Sequence, residues 1–152
     1  MNTLTVRQAV LSDLNVLFPL FDDYRQFYGK ASDPTAACSF LLDRFNHGES
    51  VLFIAEKESI AVGFAQLYPC FSSVSLARTF ILNDLFVDAR YRRQGVAKRL
   101  LDAAAEYAAA LAAIRLTLST AVVNTEARSL YQAAGWVRDE QFYVYHLPIP
   151  AT

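Results

Sequence analysis

The sequence is poor in cysteine and histidine, on which disulfide-rich proteins and many metalloenzymes depend. It has two cysteines, Cys38 and Cys70, which are too few for a disulfide scaffold and lie in apolar surroundings, so we expect reduced thiols in the core. Its two histidines, His47 and His146, are far apart and lack companions at metal-ligand spacing, which disfavours metal catalysis. The net charge is -1, so no overall charge draws the chain to nucleic acid or to an anionic membrane.

Glycine and long apolar runs are also scarce. The five glycines allow neither a G-x-G-x-x-G loop nor a G-x-x-x-x-G-K-[ST] loop, which disfavours Rossmann and P-loop nucleotide sites. No apolar run reaches the roughly 18 residues of a membrane span, and the first residues do not resemble a signal peptide. With 54% hydrophobic residues the chain can bury a substantial core, so we expect a single domain over residues 1–152, in a reducing cytoplasm.

Hydrophobic periodicity predicts the element order β-α-α-β-β-β-α-β-α-β-β. This order gives a mixed sheet with helices on its faces, which is α+β in class, or α/β by a looser naming. Pro19 is expected to kink the first helix or to mark its boundary. The last two strands are predicted at residues 136–137 and 142–147.

A basic segment follows the longest predicted strand and leads into an alanine-rich helix. It holds five of the 14 basic residues: Arg90, Arg92, Arg93, Lys98 and Arg99. The first helical turn lacks a Ser, Thr, Asp or Asn cap, and the helix dipole favours an anion there. Gly95 lets the backbone approach a phosphate closely, and the small Ala97 leaves space beside it. Charge and spacing alone fit a solvated basic turn equally well.

Two segments resemble the signatures of the GCN5-related N-acetyltransferase (GNAT) family. Residues 92–97 resemble its R/Q-x-x-G-x-G/A pyrophosphate loop, and residues 124–136 resemble its N-x-x-A-x-x-x-Y-x-x-x-G-[FW] segment, in the expected order. The resemblance covers nearly the whole chain and is least diagnostic before Val51. It implies a GNAT-like, three-layer α/β/α fold with a mostly antiparallel sheet, and an enzyme that uses acetyl-CoA (coenzyme A).

The resemblance also implies how acetyl-CoA is bound. Backbone N–H groups from Arg93 through Lys98 would hold the pyrophosphate, and strands splayed near residues 85–87 and 119–120 would hold the pantetheine arm. Asn124 matches a position that commonly hydrogen-bonds the pantetheine, and Tyr131 matches the position that commonly protonates the departing thiolate. Without the motif, Tyr131 would be interpreted as a core aromatic. The implied cofactor-binding residues are Leu85, Phe86, Val87, Arg92, Arg93, Gln94, Gly95, Val96, Ala97, Lys98, Asn124 and Tyr131.

The catalytic base and the acceptor site are less well defined. Many relatives carry a glutamate where this sequence has Asn83, and an amide cannot act as a base. Asp84 would face the other side of a regular strand, so it is a catalytic candidate only if a bulge redirects it; a water chain is the alternative. A cationic amine suits carboxylates and aromatic faces, whereas Arg78 would bind a substrate carboxylate. The candidate substrate-binding residues are Asp22, Tyr24, Tyr28, Arg78 and Asn83.

These features predict an N-acetyltransferase that transfers the acetyl group of acetyl-CoA to a primary amine of a small molecule by direct attack. The alternatives are a non-catalytic acyl-CoA sensor, which would not need Tyr131, and a protein or peptide N-acetyltransferase. We expect no metal, and neither nucleic acid nor a membrane as a partner. The aromatic segment 142–147 would be a liability at an open sheet edge, so we expect a homodimer that covers it.

Overall fold

The computed structural model describes residues 3–151, which divide into two compact units on either side of the Ser119–Thr120 peptide bond. The first unit contains β1 (Leu4–Gln8), α1 (Leu14–Phe27), α2 (Pro34–His47), β2 (Val51–Lys57), β3 (Ile60–Ser72), β4 (Ala77–Val87), α3 (Val96–Ala110) and β5 (Leu116–Thr117). Short 3-10 turns lie at Leu11–Asp13 and Ala89–Tyr91. The second unit contains α4 (Thr125–Ala133).

The sheet has the strand order β1-β2-β3-β4-β5, in which every pair is antiparallel except β4 with β5. The predicted fold class is therefore confirmed: this is a mixed, mostly antiparallel GNAT-like sheet with helices on its faces. The apolar runs of β2 and β3 occupy the centre, where Ile54 and Val62 are fully buried. Strands covered on both faces take continuous apolar sequence, because neither set of alternating side chains meets water.

Helices cover both faces of this sheet within the first unit. On one face, Leu17 and Phe21 of α1 pack with Phe64 of β3 in a core that α2 also joins. On the other face, the Tyr107 ring of α3 lies 5.6 Å from the rings of both Phe53 and Phe80. We call these the α1 face and the α3 face of the sheet. The sheet and the helices on its two faces form the three layers.

Local sequence determines where the helices begin and end. The Asp33 side chain accepts a hydrogen bond from the Ala36 N–H at 3.1 Å, and Pro34 fills the first helical position of α2. Gly48 closes α2 in the left-handed region at φ 60°. Helix α1 continues through Pro19, so the boundary interpretation is wrong; one missing backbone donor does not end this helix.

Two further predictions are corrected. Cys70 is exposed at the far end of the β3–β4 hairpin, and Cys38 is half-buried, so these are not two core thiols. β5 is only two residues long, and residues 136–147 form no strand, because a strand requires a ladder partner and the described part of the second unit supplies none. Within residues 3–151, none of the helices combines the length and apolar character that a bilayer crossing requires.

Candidate active site

The end of β4 is open on one side. The parallel ladder joins Phe80 to Leu116 and Ile81 to Thr117, and among residues 3–119 it stops there, although β4 continues to Val87. The backbone groups of the last β4 residues therefore lack a β5 neighbour. Leu85, Phe86 and Val87, which are all partly buried, lie in this open stretch, where the resemblance places the pantetheine arm.

The loop between β4 and α3 is built from unusual backbone conformations. Gly95 is the N-cap of α3 at φ 79°, and because it has no side chain the first N–H groups of the helix receive no side-chain cap. A Cβ added at Gly95 would meet nothing within 4 Å, so the space beside it is open. Arg93 is also left-handed, at φ 60°, and strain of this kind is concentrated at functional sites. This open, uncapped helix start fits a phosphate group.

Two of the basic side chains of this segment pair with carboxylates. The Arg90 guanidinium pairs with Asp88 at 2.9 Å, and Lys98 pairs with Asp102 at 2.9 Å. Gln94 accepts a hydrogen bond from Lys57, the last residue of β2. The backbone N–H groups at the uncapped start of α3 have no such side-chain partner and can face an anion.

Close packing brings the start of α3 against the end of β4. A Cβ added at Gly63 of β3 would lie 2.8 Å from the Phe86 carbonyl oxygen and 3.3 Å from a methyl group of Val96. Because such a contact is not tolerated, only glycine fits at this position. Val96 is itself buried, at 2% exposure, so the loop is anchored on the central strands.

A bulge at Asn83 changes the direction of the side chains along β4. Gln66 of β3 pairs with Asp84, and the next residue, Leu67, pairs with Leu82, so Asn83 is the extra residue of the strand. Phe80 and Leu82 lie on the α3 face, whereas Asp84 and Phe86 lie on the α1 face. The condition under which Asp84 is a catalytic candidate is therefore met.

Asp84 is a buried carboxyl group held by neutral donors. It is 5% exposed, and it accepts hydrogen bonds from Gln66 Nε2 at 2.8 Å, from Asn83 Nδ2 at 3.1 Å and from the Tyr24 hydroxyl. Burial raises the pKa of Asp84, and the three donors offset that rise in part. Asn83 thus contacts the carboxyl group at the position where many relatives carry their own acid.

Sequence reasoning missed two residues beside Asp84. Gln66 is fully buried, and among residues 3–151 its Oε1 has no hydrogen-bond partner. Burial and the charge of Asp84 raise the pKa of Tyr68 to about 12, so its phenol stays protonated. A polar residue inside the apolar run of β3 was the available signal for Gln66, because a buried amide requires a partner.

Two expected substrate-binding residues lie elsewhere or are already engaged. Asp22 is 4% exposed, and its carboxylate accepts from Ser32 Oγ at 2.7 Å, from the Asp33 N–H at 2.8 Å and from Gln26 Nε2 at 3.0 Å. These bonds lower the pKa of Asp22 and fasten the α1–α2 loop, which is a structural task. Arg78 lies over the rings of Phe71 and Phe80, on the α3 face, so the structure does not bring it together with Asp84.

The second unit carries the other two motif residues. Asn124 caps α4, since its Oδ1 accepts from the Ala127 N–H at 3.1 Å. Tyr131 is half-buried, with its ring 6.1 Å from that of Trp136. In the described part of the chain, no group of three or more His, Cys, Asp or Glu side chains is arranged to hold a metal ion.

Comparison with known proteins identifies the class of enzyme. The model of the acetyltransferase (GNAT) family matches residues 15–136. The chain is 48% identical over 148 residues to the uncharacterized N-acetyltransferase YhfO of Bacillus subtilis (strain 168), covering 97% of this chain and 99% of that protein. A crystal structure of a probable acetyltransferase is 43% identical, with a TM-score of 0.91 over 97% of this chain and 99% of its own.

The chain therefore belongs to the GNAT acetyltransferase family and is an acetyl-transferring enzyme. Enzymes of this family use acetyl-CoA. An aminoglycoside N-acetyltransferase in complex with CoA also has a TM-score of 0.81 at 21% identity, covering 98% of this chain and 97% of its own, which is a likeness of fold.

Proposed function

We propose that this enzyme transfers the acetyl group of acetyl-CoA to the primary amine of a small molecule, by direct attack of the amine on the thioester. The observation that carries the proposal is the bulge at Asn83, which turns Asp84 to the α1 face beside Tyr24. A buried carboxylate with a raised pKa suits proton removal, because a base works best when its pKa approaches the working pH.

Acetyl-CoA would supply an activated acetyl group and a thiolate that can leave. The backbone N–H groups from Arg93 through Lys98 would hold its pyrophosphate at the uncapped start of α3, beside the open space at Gly95. The edge of β4 beyond Ile81, which has no β5 neighbour among residues 3–119, would bind the pantetheine arm. A backbone N–H near Phe86 or Val87 would polarise the acyl oxygen.

Two protons must move when an ammonium becomes an amide. Asp84 takes the first, which frees the nitrogen lone pair to form the C–N bond as the C–S bond breaks. The Tyr131 hydroxyl gives its proton to the departing sulfur, and the proton that the nitrogen loses as the bond forms restores the phenol. Asp84 then returns its proton to solvent, so the net products are the amide, the CoA thiol and one proton.

We also propose that residues 1–152 act as one domain, in the cytoplasm, and as a homodimer. The family match spans residues 15–136 and so extends from the first compact unit into the second. Large apolar side chains of the last segment are exposed, among them Phe142 at 76% and Tyr145 at 89%, which favours a second chain as their cover.

Thiol release from acetyl-CoA, measured with a panel of amines, tests the proposal. Asp84→Asn should lower kcat/KM by about 100- to 10,000-fold, the usual contribution of acid–base catalysis. Asp43→Asn, an exposed change on α2, is the matched control. Full activity of folded Asp84→Asn would refute the assigned base. Tight acetyl-CoA binding with no amine acetylated would instead indicate a sensor, and preference for a lysine peptide would indicate protein acetylation.

A further inference from the structure

Four aromatic rings form a continuous set that begins at the carboxyl group of Asp84. The Tyr24 ring lies 5.1 Å from Tyr28 and 5.8 Å from Phe86, and the Phe27 ring lies 5.4 Å from Tyr28 and 6.4 Å from Phe86. We call Tyr24, Phe27, Tyr28 and Phe86 the ring wall. It begins at the buried acid, where Tyr24 donates its hydroxyl, and ends at Phe27 and Tyr28, which are 57% and 59% exposed.

Three of the four carboxylates around the end of α1 are engaged in the fold. Asp22 is fastened to the α1–α2 loop, and Asp33 caps α2. Asp88 pairs with Arg90, whereas Asp23 is an exposed carboxylate whose pKa is raised by partial burial and by the charges of Asp22 and Asp88. Asp22, Asp33 and Asp88 are therefore already committed to other groups, which leaves Asp23 alone of these four as a carboxylate that a second ammonium group could meet.

A positive charge already lies on the ring wall. The Arg92 guanidinium is 5.3 Å from the centre of the Phe27 ring and 5.8 Å from that of Phe86, and its Nε donates to the Val87 carbonyl at 3.1 Å. A cation above these rings repels a second cation, and it leaves the exposed faces of Phe27 and Tyr28 to uncharged groups. The ring wall therefore suits an apolar group better than the far end of a polyamine.

We propose that the acceptor is a primary monoamine with an aromatic or similarly apolar group, which packs on the ring wall while the amino group reaches Asp84. This inference rests on the proposed function. It follows from the continuity between the exposed rings and the buried acid, and from the Arg92 charge at the same place.

Steady-state kinetics with three amines test the substrate class. Burying a phenyl group should favour 2-phenylethylamine over ethylamine by about 10- to 100-fold in kcat/KM, and spermidine should show no such advantage. A higher kcat/KM for spermidine would overturn this inference and leave the proposed function intact. If none of the amines is acetylated, the proposed function fails, and this inference fails with it.

Variants of the ring wall test its location. Phe27→Ala and Tyr28→Ala should each reduce the ratio of kcat/KM for 2-phenylethylamine to that for ethylamine by about 5- to 10-fold, through KM, because part of the phenyl contact is lost. Phe71→Ala removes an equally exposed ring, 66% exposed, from the α3 face and should leave the ratio unchanged. The Tyr28 variant is decisive because Phe27 also carries Arg92. An unchanged ratio in folded Tyr28→Ala overturns the inference.

Discussion

Replacing Gln66 by methionine should shift the pH dependence of the enzyme. Methionine is similar in size but cannot donate to Asp84, and the change also removes an amide oxygen that has no partner among residues 3–151, so the fold should persist. The Gln66 bond favours the ionised form of Asp84, which is the form that accepts a proton. Its loss therefore raises the pKa of Asp84, so that on acidification the fall in activity begins at a higher pH.

The size of the shift follows from the bond that is removed. A hydrogen bond to a charged group contributes about 1.5–3 kcal/mol. Since about 1.4 kcal/mol corresponds to one pKa unit, the acid limb of the kcat/KM profile should move up by about 1–2 units. At a fixed pH on that limb the rate falls by about 10- to 100-fold, and on the alkaline plateau it falls far less.

The assay is the pH profile of kcat/KM for one amine, with circular dichroism as the check on folding. Gln8→Met, an exposed change on β1, is the matched control and should leave the profile unchanged. A limb that stays in place, or moves to lower pH, in the folded Gln66 variant would refute the account of Asp84 as a base held by neutral donors.

Four further outcomes are expected. Acetyl-CoA should raise the Tm, because a ligand at about 100 times its Kd adds about 2.7 kcal/mol to the free energy of unfolding. Gly95→Glu should abolish this rise, because a carboxylate would occupy the phosphate position. Tyr131→Phe should lower kcat by about 100- to 10,000-fold with little change in acetyl-CoA affinity. The lowered pKa of Asp22 means that its stabilisation is complete above the ordinary value of 3.8 and is lost as pH falls, so Asp22→Asn should flatten the acid decline of Tm. The mass in solution at about tens of micromolar should be that of a dimer, which covers the exposed segment after Phe142.

Each of these expectations has a result that contradicts it. A normal Tm rise in folded Gly95→Glu would remove the proposed pyrophosphate site, and an intact kcat with a lowered Tm in Tyr131→Phe would make that residue structural. An unchanged acid limb of Tm in Asp22→Asn would show that its three donors do not stabilise the carboxylate. A monomeric mass would refute the dimer.

Local patterns predicted the elements whose formation is local. The long periodic segments α1 and α3 and the apolar runs of β2 and β3 were identified because three or four turns, or one buried run, already specify them. Residues 136–137 and 142–147 were wrongly predicted as strands, since alternation of apolar residues indicates a buried face but does not supply a partner strand. The effect of Pro19 on α1 was overestimated, because the packing of this helix on the sheet stabilises it by more than the loss of one backbone hydrogen bond costs.

The features of the candidate site also divide into those that local sequence specifies and those that depend on tertiary structure. The turn at Gly95 was predicted because the motif and the uncapped helix start are contiguous in sequence. The bulge at Asn83 could only be stated as a condition, because it depends on how β4 registers with β3. The task of Asp22 was not foreseen, since its donors Ser32 and Asp33 reach it only after the loop folds back.

The bulge at Asn83 acts as a phase shift in a period of two. Even-numbered residues of β4 before it belong to the α3 face and even-numbered residues after it belong to the α1 face, so one inserted residue decides which layer receives every later side chain. A one-residue deletion here would place the Asp84 side chain on the α3 face, in the apolar core. It would place the side chains of Leu85 and Val87 on the α1 face, where the amine is proposed to bind. The number of residues in β4, and not only their identities, therefore determines which face of the sheet Asp84 occupies.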